Sequence, residues 1–248
     1  MEKLIEQIFS DKKIVIITGA GISTLSGIPD FRGNNGLYKK LNNAEYMLSL
    51  ECLQEEPEEF YTFYKSNMIL KNIKPNIIHE TLAKLEEKGF IDYIITQNID
   101  GLHHKAGSIN VVELHGNGDK FYCRKCAKKY DISRYVNKGY YCDKCNGIIR
   151  PDIVLYGESV KQKDYLIALK KIIEADTVIV LGSSLTVSTI NNLLNEYIRI
   201  NKINNSDKLI IINDNETIYD KYGIRYKENL EKVFKKIKKF NDQINNLI

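Results

Sequence analysis

The sequence Lys13-Ile-Val-Ile-Ile-Thr18-Gly19-Ala20-Gly21-Ile22-Ser23 joins a run of β-branched apolar residues directly to a glycine-rich turn. The apolar run predicts a buried strand, and the turn predicts the start of a helix. Backbone N–H groups at such a helix start can hold a phosphate group. A structural tight turn would look similar, because Thr24 stands where the usual dinucleotide fingerprint has its third glycine. The stretch therefore predicts an α/β fold with a candidate nucleotide site.

Further strands and helices alternate along the chain. Apolar runs at 93–96, 111–114, 177–181 and 208–213 predict four more strands, and the pattern at 79–88 predicts a helix. This alternation is typical of a Rossmann-like, doubly wound parallel sheet that helices cover on both faces. Ligands of such sheets bind beyond the carboxyl ends of the strands, so we expect the site there.

Two segments interrupt the alternation and predict a second, smaller lobe. Residues 33–75 form a helical, aromatic insertion, and residues 119–149 carry a zinc-binding module. Residues 1–32, 76–118 and 150–248 are then assigned to the Rossmann-like domain. A chain of 248 residues with 43% hydrophobic residues can form one such domain with a small insert.

Four cysteines form two pairs, each with two residues between its members: Cys123, Cys126, Cys142 and Cys145. This spacing predicts one structural zinc ion, since four thiolates complete a tetrahedron and leave no position for a reacting molecule. Two disulfides or a redox pair are the alternatives. The charged start of the sequence does not resemble a signal peptide, so we expect a cytoplasmic protein with reduced thiols, which favours zinc. The fifth, Cys52, is expected to be a buried apolar group.

The composition argues against two classes of partner. No apolar run approaches the roughly 20 residues that cross a bilayer, so no membrane association is expected. Lys and Arg number 36 and Asp and Glu number 32, and these charges are interspersed. A nucleic-acid partner is therefore not expected, although a zinc ribbon that binds nucleic acid is a possible alternative.

Several short blocks follow one another in a recognisable order. They are Gly19-Ala-Gly-Ile-Ser23, Gly27-Ile-Pro-Asp-Phe-Arg-Gly33, Thr96-Gln-Asn-Ile-Asp100, Leu114-His-Gly116, the cysteine pairs and Gly182-Ser-Ser-Leu185. In these blocks, and over essentially its whole length, the chain resembles the sirtuin family. The resemblance implies an NAD-dependent protein lysine deacetylase that transfers the acetyl group to ADP-ribose and releases nicotinamide and O-acetyl-ADP-ribose. A protein ADP-ribosyltransferase of the same fold is the alternative.

The resemblance also implies roles for individual residues. His115 is the expected general base, for which an imidazole with an ordinary pKa of about 6.5 is suited. Asn98 is the second expected catalytic residue, and Asp100 is the expected partner of the nicotinamide carboxamide. In the segment 150–158 an extended substrate peptide is expected to add a strand, with Val154 and Tyr156 beside the acyl-lysine. Expected NAD contacts are Ala20, Thr24, Phe31, Arg32, Gln97, Ile99, Asp100, His115, Ser183, Ser184, Asn213 and Asn229.

One departure from the family bears on the acyl group. Sirtuins that prefer acidic acyl groups carry a tyrosine and, three residues later, an arginine, whereas here Tyr61 is followed by Tyr64. A neutral acyl group, acetyl first, is expected, because a buried carboxylate without a cation carries a large desolvation penalty. The other histidines, His79, His103 and His104, are expected to have exposed or helix-capping roles.

Overall fold

The computed structural model describes residues 2–10, 13–30, 43–70 and 72–245. Elements within these residues are numbered in chain order. The strands are β1 (Ile14–Thr18), β2 (Tyr93–Thr96), β3 (Val111–Glu113), β4 (Gly116–Cys123), β5 (Lys129–Asp131), β6 (Ile149–Ile153), β7 (Thr177–Leu181), β8 (Leu209–Ile212) and β9 (Ile224–Tyr226). The helices are α1 (Glu2–Ser10), α2 (Ala44–Met47), α3 (Leu50–Glu55), α4 (Pro57–Asn67), α5 (Ile77–Glu87), α6 (Leu102–Lys105), α7 (Ile132–Lys138), α8 (Gln162–Ile173), α9 (Ser188–Asn201) and α10 (Leu230–Asn245).

Six of the described strands form a parallel sheet in the order β3-β2-β1-β7-β8-β9. In β1, Val15 and Ile17 pack into the apolar core on one face, and Ile14 and Ile16 pack into the core on the other. Helices α8 and α9 complete the first core, and α1, α5 and α10 complete the second. The predicted doubly wound sheet is confirmed. The sequence prediction missed β9, because three residues with an arginine in the middle give no strand signal.

The switch point of the sheet lies between β1 and β7, which are neighbours although far apart in sequence. The glycine turn after β1 crosses the turn after β7 at van der Waals distance. A Cβ atom on Gly21 would lie 2.8 Å from the Cα atom of Gly182. The Gly21 N–H donates to the Gly182 carbonyl over 2.9 Å, which fixes the two turns together. Only glycine allows two backbones to approach this closely. The two turns lie at the carboxyl ends of neighbouring strands, where ligands of such sheets bind.

A smaller lobe lies beside these strand ends. Its antiparallel sheet has the order β5-β4-β6, and it shares one apolar core with α3 and α4 through Cys52, Phe60, Tyr64, Phe121 and Tyr135. Cys52 is fully buried there, as expected. The small sheet starts at the first residue of β4 and continues to the end of β6, so it extends beyond the segment 119–149 on both sides.

Among the helices of the described ranges, none combines the length and the apolar character that a membrane span requires.

Candidate active site

A cavity of about 930 Å³ lies at the carboxyl ends of the parallel strands. Its walls include the glycine turn after β1, the segment after β2, the segment 153–160 after β6 and the turn after β7. Two of the expected NAD-binding residues, Phe31 and Arg32, lie outside the described residues. Asp100 does not line the cavity. The remaining expected residues all do: Ala20, Thr24, Gln97, Asn98, Ile99, His115, Val154, Tyr156, Ser183, Ser184, Asn213 and Asn229.

His115 is held at the cavity wall from two sides. Its ring Nδ1 lies 2.9 Å from the carbonyl oxygen of Gln97, and its own carbonyl oxygen accepts from the Val154 N–H over 2.9 Å. A carbonyl oxygen can only accept, so Nδ1 carries the ring proton. In the neutral ring the lone pair then lies on Nε2, which is the form that a general base requires.

Asn98 and Asp100 are joined by Ser23, a residue that we did not single out from the sequence. The Asn98 amide nitrogen donates to the carbonyl oxygen of Gly19 over 3.1 Å and lies 3.2 Å from the Ser23 Oγ. The Ser23 hydroxyl donates to Asp100 Oδ2 over 2.7 Å, and Asp100 Oδ1 accepts from the Leu102 N–H over 2.9 Å. The serine hydroxyl thus fixes both expected site residues to the glycine turn. The only feature of the sequence that could have indicated this role is the position of Ser23 at the end of that turn.

The segment after β2 is also tied to the turn after β7. The Gln97 amide donates to the Ser183 hydroxyl over 2.8 Å, and the same hydroxyl accepts from the Leu185 N–H over 3.2 Å. Leu185 is buried and has a φ of 53°, a left-handed conformation that is unfavourable for leucine. The tight turn that results places Ser183 and Ser184 at the cavity wall.

Two buried histidines lie together beside the carboxyl end of β1. His79 and His103 are 0% and 2% exposed. His79 has the helix-capping role that was one of the two expected roles, whereas the expectation was wrong for His103, which neither is exposed nor caps a helix. The His79 Nδ1 accepts from the Asn76 N–H over 3.4 Å in a helix cap, and the His103 Nε2 lies 3.0 Å from the Thr18 hydroxyl at the end of β1. The ring centroids are 5.1 Å apart. Burial lowers the pKa of His79 to about 4 and that of His103 to about 3, so both rings are neutral at pH 7.

The four paired cysteines lie together in the small lobe. Their sulfur atoms are within 4.8 Å of one another, with Cys123 and Cys145 3.5 Å apart and Cys126 and Cys142 3.6 Å apart. A tetrahedron with Zn–S bonds of about 2.3 Å has S–S edges of about 3.8 Å, so the arrangement fits one zinc ion. Backbone N–H groups two residues after Cys123 and Cys142 point at their sulfurs over 3.4 Å.

The charge of the cavity bears on the acyl group. Among its described lining residues there are five carboxylates and no lysine or arginine: Asp30, Asp214, Glu158, Glu228 and Glu231. Tyr61 and Tyr64 are not part of the lining. Tyr61 donates to backbone carbonyls of α7, and Tyr64 is buried against Phe60 and Phe121.

A protein-family model described as the Sir2 family matches residues 19–189, which span the glycine turn, both lobes and the turn after β7. The chain belongs to the Sir2 family. Among curated Sir2 relatives, an NAD-dependent protein deacetylase of Staphylococcus epidermidis is 44% identical over 225 residues, which is 89% of each chain. One of Staphylococcus aureus is also 44% identical and covers 89% of this chain and 90% of its own.

Solved Sir2 structures share the whole fold. A Sir2 structure with a deacetylated p53 peptide and 3′-O-acetyl ADP ribose has a TM-score of 0.88 at 40% identity and covers 96% of both chains. A structure of Sir2 with a p53 peptide and NAD+ has a TM-score of 0.86 at 36% identity and covers 98% of both chains. The sirtuin resemblance of the sequence is therefore confirmed.

Proposed function

We propose that this chain is an NAD-dependent protein lysine deacetylase. It consumes an acetylated lysine of a protein or peptide, NAD and one water molecule, and it forms free lysine, nicotinamide and O-acetyl-ADP-ribose. The observation that carries the proposal is the position of His115. Its imidazole lines one cavity together with the glycine turn after β1 and the segment 153–160 after β6.

The two ends of the cavity suit the two substrates. Ala20 and Thr24 of the glycine turn line the cavity and are proposed to face the NAD pyrophosphate, and Asn213 and Asn229 at the far strand end suit the adenosine part. Apolar side chains suit the acyl-lysine stem, namely Leu48 and Met68 of the small lobe with Ile99 and Val154.

Each polar residue then has a defined task in the reaction. Asn98, which lines the cavity, is proposed to hold the nicotinamide ribose, and Asp100, which lies outside the lining, is proposed to fix Asn98 in place through Ser23. The oxygen of the acetyl group attacks the ribose carbon as nicotinamide leaves. His115 accepts a proton at Nε2 from the ribose hydroxyls, and the hydrogen bond from Nδ1 to Gln97 keeps its ring oriented.

The zinc ion is proposed to be structural. With four thiolate ligands it has no open position for a substrate, and its contribution is to the folding of the small lobe, which supplies the peptide side of the cavity. Thiolate ligands require a reducing environment, which supports the proposed cytoplasmic location.

The proposal is tested with the purified, zinc-loaded protein, an acetylated lysine peptide and NAD labelled in its ADP-ribose part. A deacetylase gives one nicotinamide and one labelled O-acetyl-ADP-ribose for each lysine freed. The alternative, a protein ADP-ribosyltransferase, gives label on protein without deacetylated peptide. NAD that stays intact in the presence of the peptide would contradict both.

A further inference from the structure

Arg150 is a buried arginine next to the substrate side of the cavity. Its side chain is 3% exposed, and arginine is seldom buried to this degree unless its charge is paired. It is paired with Glu158, which is 22% exposed and belongs to the cavity lining. The two residues enclose the segment in which the substrate peptide is expected to bind.

All the hydrogen bonds that the Arg150 guanidinium makes in the described structure are to this one segment. It donates to the carbonyl oxygen of Pro151 over 3.0 Å and to that of Ile153 over 2.5 Å. It also forms a bidentate pair with Glu158 over 2.5 and 2.9 Å. The second carboxylate oxygen of Glu158 accepts from the Leu155 N–H over 2.9 Å. The pair thus fixes the backbone on both sides of Val154.

The backbone between the two charged residues is further bound to both lobes. The Val154 N–H donates to the His115 carbonyl oxygen. The Tyr156 N–H donates to Leu48 and its carbonyl oxygen accepts from Leu50, which forms a parallel bridge with the small lobe. The segment is therefore held in one shape, and it ends in a turn in which the Glu158 N–H donates to the Leu155 carbonyl oxygen.

The ionic state of the pair agrees with this geometry. Burial acts to raise the pKa of Glu158, but hydrogen bonds from Arg150 and the Leu155 N–H outweigh it and leave this pKa below its ordinary value. The carboxylate is charged at neutral pH and neutralises the guanidinium.

We propose that Arg150 and Glu158 are positioning residues that hold residues 154–157 in the shape that an extended substrate peptide needs. The inference rests on the proposed deacetylase function. Neither residue needs to touch the acetyl group. Their contribution is to peptide binding, because a segment ordered in advance loses less entropy when a peptide strand pairs with it.

The variant Glu158→Gln tests this with two substrates, an acetylated heptapeptide and acetyl-lysine without flanking residues. A peptide backbone needs the ordered segment, and the single amino acid does not. We expect kcat/KM for the heptapeptide to fall about tenfold relative to that for acetyl-lysine, since ordering one or two backbone residues costs roughly that much. The KM for NAD should stay within twofold of the wild type.

The control is Lys161→Ala. It removes an exposed ion pair with Asp152 in the same part of the chain, where the side chains are 55% and 30% exposed. This control should keep the wild-type ratio of the two substrates.

Since Glu158→Gln leaves Arg150 as a buried unpaired charge, it can reduce folding. The double variant Arg150→Met with Glu158→Gln removes that charge and should show the same loss of peptide preference. An equal loss for both substrates, or an unchanged ratio in the folded double variant, would overturn the positioning role. Lack of deacetylation by the wild type would instead overturn the proposed function.

Discussion

The imidazole Nδ1 of His115 lies 2.9 Å from the carbonyl oxygen of Gln97. This contact joins the end of β3 to the segment after β2, two strand ends that the parallel register places side by side. It also fixes the tautomer, because only a protonated Nδ1 can make the bond. A backbone hydrogen bond thus determines that Nε2 is the nitrogen able to accept a proton.

Replacement of His115 by alanine should abolish deacetylation and leave NAD binding measurable. General-base assistance contributes about 10²–10⁴-fold to a rate, so kcat should fall by at least two orders of magnitude. Calorimetric NAD binding and deacetylation of an acetylated peptide measure the two effects. The exposed His104 provides the control, and His104→Ala should keep full activity. Activity retained in His115→Ala would show that His115 is not the general base.

The zinc ligands should be required for the small lobe to fold. Cys142→Ala removes one of four ligands and should reduce zinc content and abolish activity, because metal binding supplies part of the folding free energy of such a lobe. Zinc analysis and thermal unfolding measure this. The control is Cys52→Ala, a buried cysteine outside the cluster, which should keep one zinc per chain. Normal zinc content in Cys142→Ala would show that the four sulfurs are not one site.

Much of the fold could be predicted from the sequence. Strands such as β1 and β7 are buried on both faces, so they read as continuous β-branched runs. The carboxyl ends of parallel strands meet at one edge, so residues such as Asn98, His115 and Ser183 could be expected to share a cavity before any coordinates were known. The short β9 has no such pattern and was not predicted.

The supporting contacts of the site could not be predicted. His79 and His103 meet because α5 and α6 pack together beneath the glycine turn, and neither residue lies in a motif that indicates the other. The Arg150 and Glu158 pair could not be found either, since the sequence shows two charged residues at the ends of an apolar segment. Such charges are usually exposed, and burial is known only from the three-dimensional structure.

Removal of the Ser23 hydroxyl should weaken the nicotinamide side of the site. Ser23→Ala deletes the hydrogen bonds to Asn98 and Asp100, which together are worth about 2 kcal/mol, so we expect the KM for NAD to rise about 30-fold. Steady-state kinetics with varied NAD and saturating peptide measure it. Ser206→Ala, at a residue that is not part of the cavity lining, should match the wild type. An unchanged KM for NAD in Ser23→Ala would show that the network does not position these residues.

A neutral acyl group should be strongly preferred over an acidic one. The described lining has carboxylates and no cation, so a succinyl carboxylate would be buried without a partner. We expect kcat/KM for succinyl-lysine to be about 100-fold below that for butyryl-lysine, which has the same chain length without the charge. One peptide carrying acetyl, butyryl, myristoyl or succinyl lysine measures the series. Comparable rates for succinyl and butyryl would mean that a cation from elsewhere in the chain enters the cavity.

The buried histidine pair should make the protein less stable in mild acid. Burial lowers the pKa of His79 to about 4 and that of His103 to about 3, from an ordinary value of 6.5. As the pH falls below 6.5, the unfolded chain binds protons at these rings and the folded protein does not. Stability is therefore complete above this pH and is lost as the pH falls from 6.5 to about 4 for His79 and to about 3 for His103.

For each of these two histidines, the free energy of unfolding should fall by about 2 kcal/mol when the pH is lowered from 7 to 5. Asp100 faces His79 and reduces its shift, whereas His79 and His104 increase that of His103. Urea unfolding of His103→Gln at the two pH values should therefore show a smaller loss than the wild type, whatever its stability at pH 7. His104→Gln, on the exposed side of α6, should keep most of the wild-type loss, because His104 makes the smallest contribution to the pKa shift of His103. An equal pH dependence in wild type and His103→Gln would show that His103 is not buried in its neutral form.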